Sequence, residues 1–478
     1  MIPVFSLLLY TPCFSKKRNA ILKSTNERQL DMLHGSLWNK LPQFAFPVAA
    51  TAILEQLFNA SDLAIVGNFT GAGRTAAVAA VGANGPIIGL IVNLFVGIAL
   101  GANVIIANAI GRDDRSAVHK AVHTSITVAL LGGILVAVLG ELAAAPLLRS
   151  LNVPDDVFPQ ALLYLRIYLL GMPVILLYNF EAAVFRSVGD TKVPLIVLAV
   201  SGVLNVILNI FFVVVLHMTV DGVAIATVIS NAISAVLMLR RLLRSQKYIR
   251  VEWRSLGIDR KVLGRILRIG LPSGIQSAMF SISNIVIQSA INSLGTTVIA
   301  ASSAAFNIEI IAYYVFNSFS QACTTFVGQN YGAGQLKRCR RTLLLALAES
   351  FAASAIAIGL VLLTGRSLLA IFNSDPEVVE IGYTRLVIVF SAYTFSILYD
   401  TMSGYLRGFG ISLVPAILTT LGVCGIRIAW IRFVFPTSRT FSTIMNVYPV
   451  SLAATALLIF IALLCYRPSR RLAHMNGG

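Results

Sequence analysis

The sequence predicts an all-α integral membrane protein with twelve transmembrane helices in two pseudo-symmetric six-helix lobes. Composition, the spacing of apolar runs and an internal repeat each lead there. Of 478 residues, 57% are hydrophobic and 12% charged, with mean hydropathy +0.82. Soluble domains are about 45–50% apolar and about 25% charged, so this chain has too few charged side chains to cover a water-exposed surface.

Apolar stretches long enough for the roughly 17–25 residues that a helix needs to cross hydrocarbon occur twelve times. In the first half they lie at 43–67, 78–108, 121–148, 157–185, 194–216 and 222–240. In the second half they lie at 269–291, 297–330, 341–364, 378–405, 412–434 and 443–465. These runs are continuous rather than alternating, which argues against a β-barrel. The implied organisation is an N-terminal segment (1–40), a first lobe (41–240), a basic linker (241–268), a second lobe (269–466) and a tail (467–478).

The net charge of +17 raises the question of nucleic acid, but its distribution points to a membrane. With the N-terminus inside, the N-terminal segment and the even-numbered connections collect 26 of the 37 Lys and Arg, and Arg467, Arg470 and Arg471 follow in the tail. This is the positive-inside pattern, and it predicts that both termini are cytoplasmic. Ten basic residues between Arg240 and Arg268 read as a linker beside anionic lipid headgroups, not as a nucleic-acid site.

Cys13, Cys323, Cys339, Cys424 and Cys465 have no ligand spacing, so neither a disulfide framework nor a zinc site is expected. Residues 1–15 carry an apolar core with no basic segment ahead of it. They read as an interfacial tail or the product of an upstream start, not as a signal peptide.

The halves are copies. Arg186, Gly189 and Pro194 of FRSVGDTKVP fall on Arg407, Gly410 and Pro415 of LRGFGISLVP at an offset of 221. The same offset takes Gly111 to Gly332, Asn152 to Asn373 and Asp156 to Glu377. Near the start of each half it drifts, to 225 for Pro47 and Pro272 and 223 for Asn84 and Asn307. Six spans per copy make the repeats parallel, the arrangement of secondary transporters that alternate access to a central cleft. The matched Gly and Pro sit where one helix ends and the next begins. Arg186 and Arg407 read first as cations snorkelling to the inner interface, and second as substrate contacts.

One carboxylate stands out. Asp62 lies in LFNASDLAIVGN, inside the first span, with no Lys or Arg in that span to neutralise it. An intramembrane charge costs about 2.5–3.5 kcal/mol even on the lenient insertion scale, so such a group tends to face the protein interior and carry function. Helical spacing puts Glu55, Asn59 and Asp62 on one face, extended by Thr51. Ser201, Asn205 and Asn209 stack at steps of four in the fifth span, and Thr227 lies in the sixth. A lone Asn or Thr is ordinarily interhelical glue. An unneutralised acid is suited to take up and release a proton.

The motifs resemble those of the multidrug and toxic compound extrusion (MATE) family, in the bacterial and archaeal branch named after a DNA-damage-inducible protein. They are D-x-x-x-V-G from Asp62, R-x-x-G-D-T-K-x-P from Arg186, L-R-G-x-G from Leu406 and VGQNYGAG at 327–334. The resemblance runs from about residue 35 to 467. It implies ion-coupled export of organic compounds, with Asp62, Asn205, Asn209 and Thr227 as the coupling site and Pro47 as a hinge. Where the family pattern usually has Asp, this chain has Asn209. The missing acid favours H⁺ over Na⁺ as the coupling ion, with Glu55 as a substitute ligand if Na⁺ is used. No cofactor is implied.

Further polar groups mark the second half. Glu309, Tyr313, Asp400, Asn284 and Gln288 are candidate substrate-binding residues, the two acids attracting a cationic small molecule. Arg166 and Arg385 read as snorkelling cations. The expected function is a monomeric antiporter for organic, mainly cationic compounds. A flippase of lipid-linked substrates and an exporter of an endogenous metabolite remain alternatives. No HExxH, GxSxG or Cys/His cluster suggests an enzyme, and no GxxxxGK[ST] suggests ATP-driven transport.

Overall fold

Twelve helical spans follow one another in the computed structural model, which describes residues 30–70, 74–151, 153–245 and 248–469. Expectations for residues 1–29, Cys13 included, and for Asn152, Arg470 and Arg471 lie outside the described residues. The first lobe comprises α1 (Leu37–Phe69), α2 (Arg74–Gly111), α3 (Arg115–Ser150), α4 (Phe158–Leu170 and Met172–Ser187), α5 (Lys192–Val215) and α6 (Val220–Leu243). The second comprises α7 (Arg260–Asn292), α8 (Thr296–Gly332), α9 (Leu336–Phe372), α10 (Pro376–Gly408), α11 (Leu413–Thr437) and α12 (Phe441–Tyr466). No strand occurs among the described residues.

Nine of these helices are long and apolar enough to span a membrane, and α4 makes a tenth across a 51° bend. The bend falls at Gly171, two residues before Pro173, whose missing N–H cannot complete the ladder. The other two, α1 and α7, are the repeat mates that carry Pro47 and Pro272, and both are 33 residues long. Their polar stripes and, in α7, the basic first turns lower their apolar content. Outside the bundle, Leu142, Leu363 and Ile371 are among many exposed apolar side chains, a belt suited to lipid.

The linker is shorter than 241–268. Asp259 caps α7 by accepting from the N–H groups of Lys261 (2.9 Å) and Val262 (3.1 Å), so Arg260–Arg268 are already helical. Ile249 and Val251 are buried against the first lobe, and the Glu252 N–H donates to His123 Nε2 at 2.9 Å. On the same face, residues 30–36 pack across to the second lobe. Arg338 donates there to the carbonyls of Met32, His34 and Gly35.

The lobes meet where side chains are smallest. A Cβ on Gly97 would lie 2.2 Å from the Gly274 nitrogen, and one on Gly101 2.4 Å from the Ile266 oxygen, so α2 and α7 touch backbone to backbone. Near the chain-reversal end the contact is reciprocal. A Cβ on Gly111 would meet the Gln329 oxygen at 1.9 Å, and one on Gly332 the Asn108 oxygen at 2.1 Å. Both pairs are related by the 221-residue offset, so a pseudo-twofold axis passes between them. Gly111→Ala and Gly332→Ala are each expected to destabilise this closed junction by about 1–3 kcal/mol through overpacking. Thermal unfolding of the purified variants measures it; unchanged midpoints for both would contradict the packing described.

The turn after α4 is repeated after α10. Gly189 and Gly410, 221 residues apart, hold φ of 83° and 81°, a region that favours glycine. Each lets the chain reverse tightly into the next helix.

Candidate functional site

Helix α1 approaches α5 because Gly202 has no side chain. A Cβ there would lie 1.8 Å from the Phe58 ring, so the ring occupies that space. One turn beyond Phe58, Asp62 then faces α5 and α6. Asn209 Nδ2 donates to Asp62 Oδ1, and Thr227 Oγ1 donates to Asp62 Oδ2 at 3.1 Å. Asn209 Nδ2 also donates to Asn205 Oδ1 (3.2 Å), and Asn205 Nδ2 to Thr227 Oγ1 (3.5 Å). The four residues picked from spacing and resemblance thus form one closed ring on three helices. Two residues after Asn209 the helix changes to a π turn, Phe211–Val215. Such turns occur often at functional sites.

The ring has a built-in choice. Thr227 has one hydroxyl hydrogen but two acceptors in reach, Asp62 Oδ2 and the Val223 carbonyl at 3.0 Å. Against an ionised Asp62 the hydroxyl donates to the carboxylate. When Asp62 is protonated, its own O–H can donate to Thr227 Oγ1 while the hydroxyl turns to Val223. The buried Asn209 Oδ1 has no partner among the described residues. No group of three or more His, Cys, Asp or Glu is placed to hold a metal ion among those residues.

Asp62, Asn205 and Thr227 line a cavity of about 380 Å³ within the first lobe, with Tyr164 and Tyr168 opposite. Glu55 and Asn59 line it too, and also line a second cavity of about 550 Å³ between the lobes. Glu55 stands about 10 Å along α1 from Asp62, since seven residues rise by that much, and it is outside the ring. Pro47 lies eight residues before Glu55, and α1 runs unbroken through it with Thr51 Oγ1 donating to its carbonyl at 2.7 Å.

The second-lobe candidates are placed differently from expectation. Glu309 is not a free carboxylate awaiting a cation, because Arg385 Nε and Nη2 each donate to its Oε2 at 3.0 Å. Tyr393 OH donates to its Oε1 at 3.2 Å, and Ser302 Oγ takes Arg385 Nη1 at 2.7 Å. Arg385 is 3% exposed, so it does not snorkel. The pair spans α8 and α10, and nothing in the local spacing of either residue reveals it. Asp400 is likewise paired, with Arg407 Nη2 (3.3 Å) and Asn317 Nδ2 (3.0 Å). Asn284 and Gln288 line neither cavity, and Gln288 donates to Asn292 on its own helix. Tyr313 does line the inter-lobe cavity.

Arg186 and Arg407 also face that cavity rather than an interface with lipid headgroups. Arg186 Nη1 donates to Gln321 Oε1 (2.8 Å), whose Nε2 donates to Asn317 Oδ1 (2.9 Å). The hydrogen-bonded chain therefore runs Arg186–Gln321–Asn317–Asp400–Arg407 from one lobe to the other. Its sequence signal was the repeat offset itself, which marked both arginines.

Comparison with known proteins agrees with this architecture. The MatE family model matches residues 47–211 and 272–431, one segment in each lobe. A probable multidrug resistance protein of Bacillus subtilis, YoeA, is 27% identical over 89% of this chain and 93% of its own length. A probable multidrug resistance protein NorM of Thermotoga maritima is 26% identical over 80% of this chain and 82% of its own. A crystal structure of MATE in complex with MaD3S has the same fold. Its TM-score is 0.85 at 20% identity, over 93% of this chain and 99% of that one. Two lobes of six helices, a polar ring in the first and a family match covering both place this chain in the MatE family of multidrug efflux transporters.

Proposed function

We propose that the chain is a secondary active antiporter that exports organic, mainly cationic compounds by alternating access, coupled to inward H⁺ flow through Asp62. The carrying observation is the closed ring of Asp62, Asn205, Asn209 and Thr227 beside a cavity. A proton on Asp62 redirects the Thr227 hydroxyl and so changes how α1 is held against α5 and α6. A local rearrangement of this kind biases a two-state element only by its differential interactions, and here those are the ring's hydrogen bonds. The protein works as a monomer in a bacterial inner membrane with both termini cytoplasmic, as the basic connections favour. Glu55, with no hydrogen-bonded or ion-pair partner within 4.0 Å among the described residues and bordering both cavities, receives the cationic substrate, a role moved from Glu309 and Asp400 because those acids are already neutralised.

Sodium is the second reading, favoured by the unpartnered Asn209 Oδ1, an oxygen available to a cation. Everted vesicles loaded with a fluorescent organic cation decide between them. A pH gradient alone is expected to drive transport, and Asn209→Asp to add a sodium response. Strict dependence on Na⁺ at fixed pH would refute proton coupling.

A further inference from the structure

We propose that Arg186 is an anion-recognition site in the inter-lobe cavity, so that the exported compounds include ones bearing a carboxylate or phosphate group. This rests on the exporter reading and deepens it.

Arg186 and Arg407 are repeat mates in the same pose. Each donates through Nε to the carbonyl four residues back, Ala182 and Ser403 respectively, at 3.3 Å. Each faces the cavity of about 550 Å³, a size suited to a drug-like molecule. They differ in what meets Nη2. In Arg407 that nitrogen donates to Asp400, seven residues earlier. The mate of Asp400, 221 residues back, is Asn179, a neutral amide that donates to the Ile175 carbonyl instead. Among the described residues Arg186 therefore hydrogen-bonds only to the neutral Gln321 and a backbone carbonyl, and the acid that acts on it, Glu55, does so through space. Among the described residues no carboxylate oxygen lies within 4.0 Å of it.

A guanidinium in a membrane interior without a carboxylate in hydrogen-bond contact is costly, even with Glu55 acting on it through space, and its planar fork matches carboxylate and phosphate oxygens. In the second lobe a carboxylate, Asp400, accepts from Nη2, and its mate beside Arg186 is the Asn179 amide. Glu55 borders the same cavity without pairing to Arg186, so one molecule carrying both charges can meet both groups.

The test uses the full-length protein in nanodiscs of phosphatidylcholine and a matched pair of rhodamines, one with a free benzoic acid and one its methyl ester. Dissociation constants come from fluorescence polarisation. Wild type is expected to prefer the acid. Asn179→Asp, which supplies Arg186 with the carboxylate its mate already has, should lower the acid-to-ester preference about tenfold, the scale of one charge-assisted hydrogen bond. Arg186→Gln should do the same, and Arg186→Lys should retain the preference. No acid preference in wild type, an unchanged ratio in Asn179→Asp, or equal losses for acid and ester would overturn the proposal. So would loss of the preference on adding phosphatidylglycerol, which would assign the site to a lipid headgroup. Failure of dye export in vesicles with the binding ratio intact would count against the exporter reading and leave the site standing.

Discussion

Asp62→Asn is expected to reduce gradient-driven efflux to the level of vesicles lacking the protein, while the variant inserts and folds. The substitution removes the only titratable group in the ring and keeps its size and shape. The new amide hydrogens have an acceptor at hand, since Asn209 Oδ1 is buried without a partner. Folding should therefore survive, with a small shift in the thermal midpoint. Efflux at near wild-type rates from a well-expressed Asp62→Asn protein would remove Asp62 from the coupling step. Loss of folding would instead show that the carboxylate holds α1 to α5 and α6.

Glu309→Gln is expected to cost stability, not substrate preference. Arg385 is almost fully buried between α8 and α10, and among the described residues Glu309 supplies its only charged partner. Removing one member of a buried ion pair typically costs about 3–5 kcal/mol, because the other is left uncompensated. The variant should give little monodisperse protein in size-exclusion chromatography. Replacing both residues together, Glu309→Leu with Arg385→Met, should recover much of the loss, since a well-packed apolar pair can substitute for a buried ionic one. A stable Glu309→Gln protein with weakened cation binding alone would return Glu309 to the substrate site.

The sequence reading and the structure part company at charged residues. Asp62 was legible because its isolation is a property of one helix: no cation lies within the span, and its polar neighbours recur at helical spacing. Asn205, Asn209 and Thr227 became visible through the same periodicity and the family motifs. Glu309 looked equally isolated, with no Lys or Arg in its own span. Arg385 is 76 residues from Glu309, and only the packing of α8 on α10 brings them together. Arg407 was in plain view, seven residues after Asp400, but a snorkelling reading placed it at the membrane surface. The inter-lobe cavity instead draws it inward.

Composition and intervals along one chain were enough for the twelve spans, the parallel duplication, the turns at Gly189 and Gly410, and the polar faces of single helices. Hydrocarbon enforces this, since backbone groups in lipid must be satisfied within each helix, and the resulting apolar lengths are readable. Tertiary structure alone decided which charges are free. Whether a carboxylate or guanidinium is available to an ion or a substrate depends on a contact of a few ångströms, made across helices for Glu309 and along one helix for Arg407, that spacing alone does not encode. Glu309 is closed off by Arg385 and Arg407 by Asp400, whereas Arg186 has an amide where its twin has an acid.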